Sequence, residues 1–351
     1  MSEVNLTPIR AGHEFDLSAL ENYMSRQVEG FRRPISILQF EGGQSNPTFL
    51  IESPDKRFVL RKQPPGILLP SAHQVDREHR VMKALNTSDV PVPEMYALCE
   101  DTGVIGTKFY VMEMVDGRLY TTTALPDLTK DERKSVYLDM ARILASLHAV
   151  DPSSVGLSDF GRPGNYFGRQ VARWSRQYIA SQTETIDAMD SLMEWLPDNL
   201  PDETPPRIVH GDYRMGNVLL DESEPRVVAV LDWELCTLGD GMADLGYWCQ
   251  EYHSPASKKP GMIAGADLEA LGIPTESELI QVYCDHAGLS GIENWLFYVI
   301  FNLFRSAGII QGVYKRGLDG NASSQTALEY AGAARERSEL AWSILQSNNM
   351  A

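Results

Sequence analysis

Alternation of apolar and polar residues dominates the first third of the chain. Short runs rich in β-branched and aromatic residues, separated by turn-forming residues, lie at Ile35–Phe40, Thr48–Glu52, Phe58–Lys62, Met95–Glu100 and Thr107–Met114. A helical pattern interrupts them at Ser71–Leu85, where Ser71 is placed to cap the helix. Three strands, a helix and two more strands predict an α+β lobe with a mostly antiparallel sheet.

Helical periodicity dominates the rest of the chain. The patterns lie at Lys130–Ala149, Arg169–Thr183, Glu276–His286, Trp295–Tyr314 and Thr326–Gln346. They surround one short β-rich hairpin, Val218–Leu220 and Val227–Leu231. The turn composition of Val115–Arg118 predicts a hinge there, so we expect an N-terminal lobe at residues 1–115 and a larger, mainly helical C-terminal lobe at residues 116–351. A ligand cleft between two such lobes is expected.

The composition is that of a globular protein, because 43% of the 351 residues are hydrophobic and 23% are charged. The 31 basic and 48 acidic residues give a formal net charge of −17, which disfavours nucleic acid and anionic membranes as partners. The four cysteines show no C-x-x-C spacing, so we expect a reducing, cytoplasmic setting. The scattered histidines lack the spacing of metal ligands, and no zinc site is expected.

No secretory or membrane-spanning pattern is evident in the sequence. Residues 1–10 lack the charged and then apolar run of a signal peptide. The most apolar long segment, Trp295–Val313, is interrupted by Asn302, Arg305 and Gly308. We therefore interpret it as a core helix.

Polar residues of catalytic type concentrate at His210–Asn217, between apolar segments. Asp212 and Asn217 are five residues apart, as in the protein-kinase catalytic loop, where the acid accepts a hydroxyl proton and the amide oxygen binds magnesium. The next hairpin strand leads into Asp232, where a kinase has its metal-binding Asp. An H-G-D segment alone also fits a helix cap or an Asx turn, but the three residues together favour phosphoryl transfer.

Longer strings carry a family resemblance. HGDYRMGNVLLD and LDWELCTLGDGMADL resemble the catalytic and metal-binding motifs of the aminoglycoside phosphotransferase and choline kinase superfamily, which has a protein-kinase-like two-lobe fold. VLRKQPPG, LLPSAHQVDREHRVMKAL and FNLFRSAGIIQGVYKRGLDGNASS are similar to the kinase-like domain fused to animal acyl-CoA dehydrogenases and to its free-standing bacterial relatives. The resemblance implies an enzyme that uses ATP and Mg²⁺, with Asp212 as catalytic base and Asn217 and Asp232 as magnesium ligands.

The same resemblance assigns supporting residues in the C-terminal lobe. His210 supports the catalytic loop, and Asp240 and Asp244 match acids that brace the loop or lie near the acceptor pocket. Gly241 departs from the family stretch, which usually has Pro at this place. His148, near the end of a predicted helix, is interpreted as structural, since a histidine there interacts favourably with the helix dipole.

The N-terminal lobe is expected to bind ATP. The turn containing Ser45 and Asn46 would bring backbone N–H groups near the phosphates, although such a Gly-Gly hairpin is more often only a turn. The resemblance makes the Glu113 carbonyl and the Val115 amide the contacts to adenine. Side-chain identity says little about such backbone contacts, and a buried edge strand explains this segment equally well.

A cation on the third strand should grip the phosphates, held by a carboxylate of the following helix. Glu78 is the best candidate for the carboxylate. Arg61 and Lys62 are adjacent and point to opposite faces of a strand. The alternation favours Arg61, with Val59 on the same face against the adenine, and leaves Lys62 as a solvated charge.

These residues predict a Mg-ATP-dependent kinase that phosphorylates a hydroxyl of a small molecule. The narrower resemblance points to a hydroxyacyl-CoA as acceptor, and an aminoglycoside or another amino alcohol is the alternative. Arg305, Lys315 and Arg316 are the candidates for binding the anionic thioester, although such residues on a helix are more often solvated. A nucleotide-binding pseudokinase is the alternative of another class.

Overall fold

The structure, a computed structural model, describes residues 5–41, 46–66, 73–254, 261–321 and 326–350. The strands are β1 (Leu6–Thr7), β2 (Ser36–Phe40), β3 (Thr48–Glu52), β4 (Arg57–Lys62), β5 (Met95–Cys99), β6 (Phe109–Glu113), β7 (Arg118–Leu119), β8 (Arg207–Val209), β9 (Val218–Leu220), β10 (Val227–Val230) and β11 (Thr237–Gly239). The helices are α1 (Leu17–Gln27), α2 (Val75–Leu85), α3 (Lys130–Ala149), α4 (Tyr166–Ser181), α5 (Asp187–Asp198), α6 (Met242–His253), α7 (Leu268–Leu271), α8 (Glu276–Ala287), α9 (Trp295–Leu318) and α10 (Ala333–Ser347).

The chain folds into two compact units that interleave in sequence. The first comprises Met1–Thr121, Val155–Leu157 and Met215–Cys236, and the second comprises Thr122–Ser154, Ser158–Arg214 and Thr237–Ala351. The hairpin β9–β10 therefore groups with the N-terminal strands. The division into lobes at residues 1–115 and 116–351 stays a prediction.

The first unit is built on an antiparallel sheet with the strand order β1-β2-β3-β4-β6-β5. Side chains alternate along the central strand β4. Phe58 and Leu60 lie in the core cluster that contains Leu20 and Met24 of α1. Arg61, of opposite parity, has its side chain against α2, since it contacts a carboxylate of that helix. The two parities thus place Phe58 and Leu60 on the face toward α1 and Arg61 on the face toward α2.

A second, smaller sheet completes the first unit. Its order is β10-β9-β7, all antiparallel, so the turn predicted at residues 115–118 ends in a short strand that pairs with β9. Gly117 is needed here because a Cβ atom at this position would lie 2.4 Å from the carbonyl oxygen of Leu220. The hairpin predicted from the sequence is confirmed.

The second unit is mainly helical. An apolar core cluster of this unit joins α4, α5, α9 and α10 and includes Phe167, Phe301 and Leu303. Helix α9 buries 11 of its 24 residues, which confirms it as a core helix. Strands β8 and β11 pair as a short antiparallel ribbon, and the segment that follows Val209 lies next to it in sequence. An α+β protein with an antiparallel sheet and a helical second part is thus confirmed.

Several predicted boundaries are wrong. Helix α2 begins at Val75 rather than Ser71, and its N-cap residue Gln74 makes no side-chain capping bond. Ser71 lies outside the described residues. The helix predicted at residues 326–346 is a 3₁₀ turn at Ala327–Tyr330 followed by α10, since Gly332 adopts a left-handed conformation between them.

Candidate active site

A cavity of about 440 Å³ lies within the first unit. Its lining is mostly apolar and includes residues of β4, β6 and β9 and the segment directly after β10. Val59, Met112, Leu219 and Leu231 provide apolar surface suited to a flat ring system. The polar lining residues include Arg61, Glu113, Asn217 and Asp232, and Val115 also borders the cavity.

Arg61 is the electrostatic centre of this cavity. Its Nε lies 2.9 Å from Glu78 Oε2, its Nη2 lies 2.9 Å from Asp232 Oδ1, and Glu234 is 3.7 Å away. Only 11% of the Arg61 side chain is exposed. The carboxylates of three residues thus surround one guanidinium, which places a fixed cation beside a candidate metal ligand.

Two side chains besides Arg61 donate hydrogen bonds to Glu78. Asn46 Nδ2 donates to Oε1 at 2.8 Å, and the Tyr110 hydroxyl donates to Oε2 at 3.0 Å. Burial raises the pKa of Glu78 to about 7, while Arg61 and Tyr110 act in the opposite direction. Burial by itself would lower the pKa of Arg61, but Tyr110, Glu78 and Asp232 raise it above its ordinary value. Arg61 is therefore a permanent cation at this site.

The side chain of Asn46 makes contacts that the sequence analysis did not predict. Its side chain is fully buried, and its Oδ1 lies 3.0 Å from His73 Nδ1 while its Nδ2 holds Glu78. The side chain therefore braces the carboxylate that holds Arg61 and does not face the cavity. Ser45, the neighbouring predicted phosphate contact, lies outside the described residues.

Lys62 is not the solvated charge that the sequence predicts. It is buried, and its Nζ lies 5.4 Å from the ring centroid of Phe15, on the core face of the sheet. Burial lowers its pKa, and Glu14 opposes that effect. Of the two candidates for the phosphate-gripping cation, Arg61 is the one that the structure places at the cavity.

Asn217 and Asp232 lie at the two ends of the β9–β10 hairpin. The backbone N–H of Leu231 donates to the carbonyl of Asn217 at 2.8 Å, which holds these two ends together. Asp232 has a left-handed backbone conformation with φ 63°, which is uncommon for a non-glycine residue and concentrates at functional sites. Amide and carboxylate oxygens are the ligands that Mg²⁺ prefers. Among the described residues no group of three or more His, Cys, Asp or Glu side chains forms a metal site.

In the second unit, the segment around Asp212 is fixed by a buried carboxylate. Asp244 accepts the backbone N–H groups of His210 at 2.6 Å and Gly211 at 2.8 Å. Gly211 has φ 86°, a conformation that favours glycine. Burial would raise the pKa of Asp244, but His148 and His210 hold it below its ordinary value. Asp244 is thus an ionised brace of the loop, one of the two roles that the family resemblance implies.

His148 packs beneath this brace. Its Nδ1 lies 2.8 Å from the Tyr283 hydroxyl and its Nε2 lies 3.3 Å from Asp244 Oδ2, in a fully packed environment. His148 lies in the last turn of α3, as the sequence predicts, and these side-chain hydrogen bonds fit the predicted structural role as well. A Cβ atom at Gly241 would come within 2.7 Å of the His148 ring, so the departure from Pro at this position gives the ring its space.

Asp212 itself is partly exposed and surrounded by polar groups. Arg214 Nε lies 3.3 Å from both carboxylate oxygens, and the Tyr247 hydroxyl donates to the same carboxylate. The guanidinium of Arg305 lies 4.8 Å from the Tyr247 ring centroid and donates to the carbonyl of Gly211 at 2.6 Å. Arg305, a candidate for binding the acceptor, thus uses one of its nitrogens to hold the loop backbone.

Three residues that contact the predicted site were not identified from the sequence. Tyr110, Arg214 and Tyr247 touch the predicted site residues but carry no motif of their own. Arg214 lies inside the catalytic string, two residues after Asp212, which was the available signal. Lys315, another residue predicted to bind the acceptor, is ion-paired with Asp319.

The sequence pattern of the Phosphotransferase enzyme family (APH) matches residues 36–277. The chain belongs to this family. It is 44% identical over 342 residues to mouse acyl-CoA dehydrogenase family member 10, covering 96% of this chain and 32% of that protein. The family member described here thus spans about a third of the length of that relative.

Solved structures agree with the family assignment. A protein from Ralstonia eutropha JMP134, assigned as an aminoglycoside phosphotransferase, superposes with a TM-score of 0.88 and 47% identity over 95% of this chain and 99% of the other. Aminoglycoside phosphotransferase APH(4)-Ia, solved in a ternary complex with AMP-PNP and hygromycin B, shares the fold with a TM-score of 0.59 and 18% identity over 93% of this chain and 98% of the other. The predicted resemblance and the kinase-like fold are confirmed.

Proposed function

We propose that the protein transfers the γ-phosphoryl group of Mg-ATP to a hydroxyl of a small molecule. The observation that carries this proposal is the cavity of the first unit, where apolar walls meet Arg61, Asn217 and Asp232. Such a cavity offers a ring-binding surface, a phosphate-binding cation and metal-binding oxygens in one place.

The donor set fits magnesium bound to a nucleotide. Mg²⁺ usually keeps several waters and takes one or two protein carboxylates together with substrate phosphates. Asn217 and Asp232 would supply the protein ligands, and the metal would neutralise charge on the phosphates. Arg61, fixed by Glu78, would bind the phosphates from the sheet side.

Asp212 would accept the proton of the acceptor hydroxyl. Its carboxylate accepts hydrogen bonds from Arg214 and Tyr247, which hold it in a fixed orientation. Asp244 and Gly211 fix the backbone beside it. The backbone beside Asp212 is therefore held in place, as catalysis by orientation of the reacting groups requires.

For the acceptor we propose a hydroxyacyl-CoA. The support is the likeness to a protein whose name joins it to acyl-CoA dehydrogenases, with 96% of this chain covered. The alternative is an aminoglycoside or another amino alcohol, supported by the family of the Ralstonia protein.

The test is a phosphate-transfer assay with a panel of hydroxylated acceptors, namely hydroxyacyl-CoA thioesters, free hydroxy acids, choline and kanamycin. Asp212→Asn should lower turnover by about 10²–10⁴, the usual loss for a general base, and leave ATP affinity unchanged. Asp232→Ala should weaken Mg-ATP much more than metal-free ATP.

Ser153→Ala serves as a control, since within the part of the chain that the structure describes this hydroxyl bonds only to Asp151, in an exposed turn. Wild-type turnover by Asp212→Asn would reject the base assignment. Tight nucleotide binding by the wild type, with no transfer to any acceptor, would favour the pseudokinase.

A further inference from the structure

His73, two residues before α2, has an unusual backbone conformation. Its φ is 58°, a left-handed value that is uncommon for a residue other than glycine and costs free energy. Two donors hold the His73 carbonyl in place, namely Gln63 Nε2 at 2.8 Å and the backbone N–H of Val75 at 3.0 Å. Gln63 directly follows β4, so the segment before α2 is tied to the strand that carries Arg61.

The His73 ring begins a chain of side-chain contacts that ends at Arg61. His73 Nδ1 lies 3.0 Å from Asn46 Oδ1, and Asn46 Nδ2 donates to Glu78 Oε1 at 2.8 Å. The other oxygen of Glu78 lies 2.9 Å from Arg61 Nε. Asn46 is fully buried and Glu78 is 1% exposed, so water cannot replace a contact that is lost in the middle of this chain.

The directions of these hydrogen bonds follow from the chemistry of the groups. An ionised carboxylate only accepts hydrogen bonds, so the amide of Asn46 must present its NH2 group to Glu78. The amide oxygen is then left for His73, whose imidazole must carry a proton on Nδ1. Without this donor the amide is free to turn over and to set its oxygen against the carboxylate. His73 therefore selects the orientation in which Asn46 holds Glu78.

A fixed Glu78 matters because other acids compete for Arg61. Asp232 Oδ1 lies 2.9 Å from Arg61 Nη2, and Glu234 Oε2 lies 3.7 Å from the same nitrogen. A guanidinium released from Glu78 would move toward these two acids. Its donors would then face carboxylates rather than a phosphate, and it would shield the proposed metal ligand Asp232.

We propose that His73 and Asn46 are positioning residues, which through Glu78 hold Arg61 in the place where it binds the nucleotide phosphates. The inference rests on the proposed function and deepens it, because it names the residues that set the affinity of the site for phosphate. Neither residue is expected to touch the nucleotide. Their loss should therefore weaken binding of the phosphates and leave binding of the base and ribose intact.

The test compares Mg-ATP with adenosine, which has the base and the ribose but no phosphate. Calorimetry measures Kd for both ligands with wild type, Asn46→Ala, His73→Gly and His73→Asn. Glycine removes the imidazole and tolerates the left-handed backbone, whereas asparagine tolerates that backbone and keeps a side-chain N–H donor. His13→Gly is the matched control, because His13 Nδ1 lies 2.8 Å from Nε2 of Gln39 in the same sheet and both residues lie outside the lining of the cavity.

Asn46→Ala should raise the Kd of Mg-ATP about tenfold, the factor that corresponds to one hydrogen bond to a charged group, and leave the Kd of adenosine unchanged. His73→Gly should have a smaller effect of the same kind, because the amide of Asn46 remains and loses only its preferred orientation. His73→Asn and His13→Gly should bind both ligands like the wild type. With an acceptor that the wild type uses, Asn46→Ala and His73→Gly should raise the KM for ATP.

Arg61→Gln is the reference for loss of the phosphate contact. It should weaken Mg-ATP at least as much as Asn46→Ala does, and the double variant should bind no more weakly than Arg61→Gln alone, because both changes act through Arg61. His73 is only partly buried, so its two variants test the inference even where Asn46→Ala does not fold.

Wild-type Kd for Mg-ATP in His73→Gly and Asn46→Ala, beside a weakened Arg61→Gln, would overturn the inference and leave the kinase proposal standing. An equal loss for adenosine, or a loss in His73→Asn as large as in His73→Gly, would also overturn it. If Arg61→Gln binds Mg-ATP as tightly as wild type, the phosphate contact of the proposed function fails and the inference fails with it. If the wild type binds Mg-ATP but phosphorylates no acceptor, the proposed function fails, and the Kd values still decide the roles of His73 and Asn46.

Discussion

Arg61 is held by carboxylates from separate parts of the first unit. Glu78 comes from α2 and Asp232 from the end of the β9–β10 hairpin. We expect truncation of Arg61 and of Glu78 to Ala to be non-additive, with a coupling of about 0.5–3 kcal/mol, because each removes the same buried contact. Denaturant unfolding of the single and double variants measures this coupling.

The exposed pair Arg57–Asp116 provides the matched control. Its side chains are 45% and 52% exposed, so its coupling should be only about 0.2–1 kcal/mol. Additive effects at Arg61 and Glu78, within about 0.3–0.5 kcal/mol, would mean that the two residues do not stabilise each other.

Glu251 gives a prediction about pH. Burial raises its pKa to about 7, against the opposing effects of Arg214 and Thr123. A carboxyl whose folded pKa exceeds its unfolded value stabilises the protein fully at low pH, and this contribution is lost as pH rises through 7. Glu251→Gln removes the titration, so its stability relative to wild type should increase between pH 5 and pH 8.

Chemical unfolding of both proteins at the two pH values measures that difference. Glu222→Gln is the control, because this exposed acid lies in the turn between β9 and β10. A relative stability of Glu251→Gln that falls with rising pH would show that the ionised form is favoured by folding.

Among single residues, the sequence analysis could identify those whose type and spacing match the requirements of kinase chemistry. Asp212, Asn217, Arg61 and Glu78 were found because kinase chemistry requires those groups in that order. The bond from the Asn46 side chain to Glu78 was missed, because Glu78 is 32 residues away and no local pattern reveals such a bond. The roles of the site residues stay predictions.

Among the elements, α3 shows how a helix end is specified. Thr129 caps it, accepting the backbone N–H of Glu132 while the Glu132 side chain accepts the N–H of Thr129. Thr129→Ala should cost about 1 kcal/mol of unfolding free energy, the usual loss for such a cap. Thr275→Ala, at the same motif in α8, should cost a similar amount.

Thermal unfolding compares both variants with Thr102→Ala, whose exposed side chain caps no helix and which should stay within about 0.5 kcal/mol of wild type. A loss as large in Thr102→Ala as in Thr129→Ala would contradict the capping explanation.

Element predictions were most accurate where a regular pattern was long. The strands β2 to β6 and the helices α3 and α9 lie within a few residues of their predicted bounds. Helix α1 was missed although Asp16 caps it and Leu20 and Met24 lie four residues apart. Its two buried residues are too few to distinguish it from a loop until the sheet beneath it is known.

For the molecule as a whole, charge and burial together predict no membrane association. Within the described residues, α9 is the one helix long and apolar enough to cross a bilayer, and most of that stretch is buried in the second unit. With a net charge of −17, the protein should not float with vesicles of phosphatidylcholine and phosphatidylserine at low salt.

Vesicles of phosphatidylcholine alone are the control for that flotation, since they remove the electrostatic repulsion. Recovery of protein with either vesicle would show that α9 or another apolar surface becomes available to lipid.

The interleaving of the two units sets a limit on how the gene can be divided. Strand β9 pairs with β10 on one side and with β7 on the other, yet β7 and β9 are almost a hundred residues apart in sequence. A polypeptide that stops at residue 121 would carry β7 without its partner, and would lack Asn217 and Asp232 as well. A split-protein reporter or a recombination breakpoint placed there would thus divide a sheet rather than separate two modules.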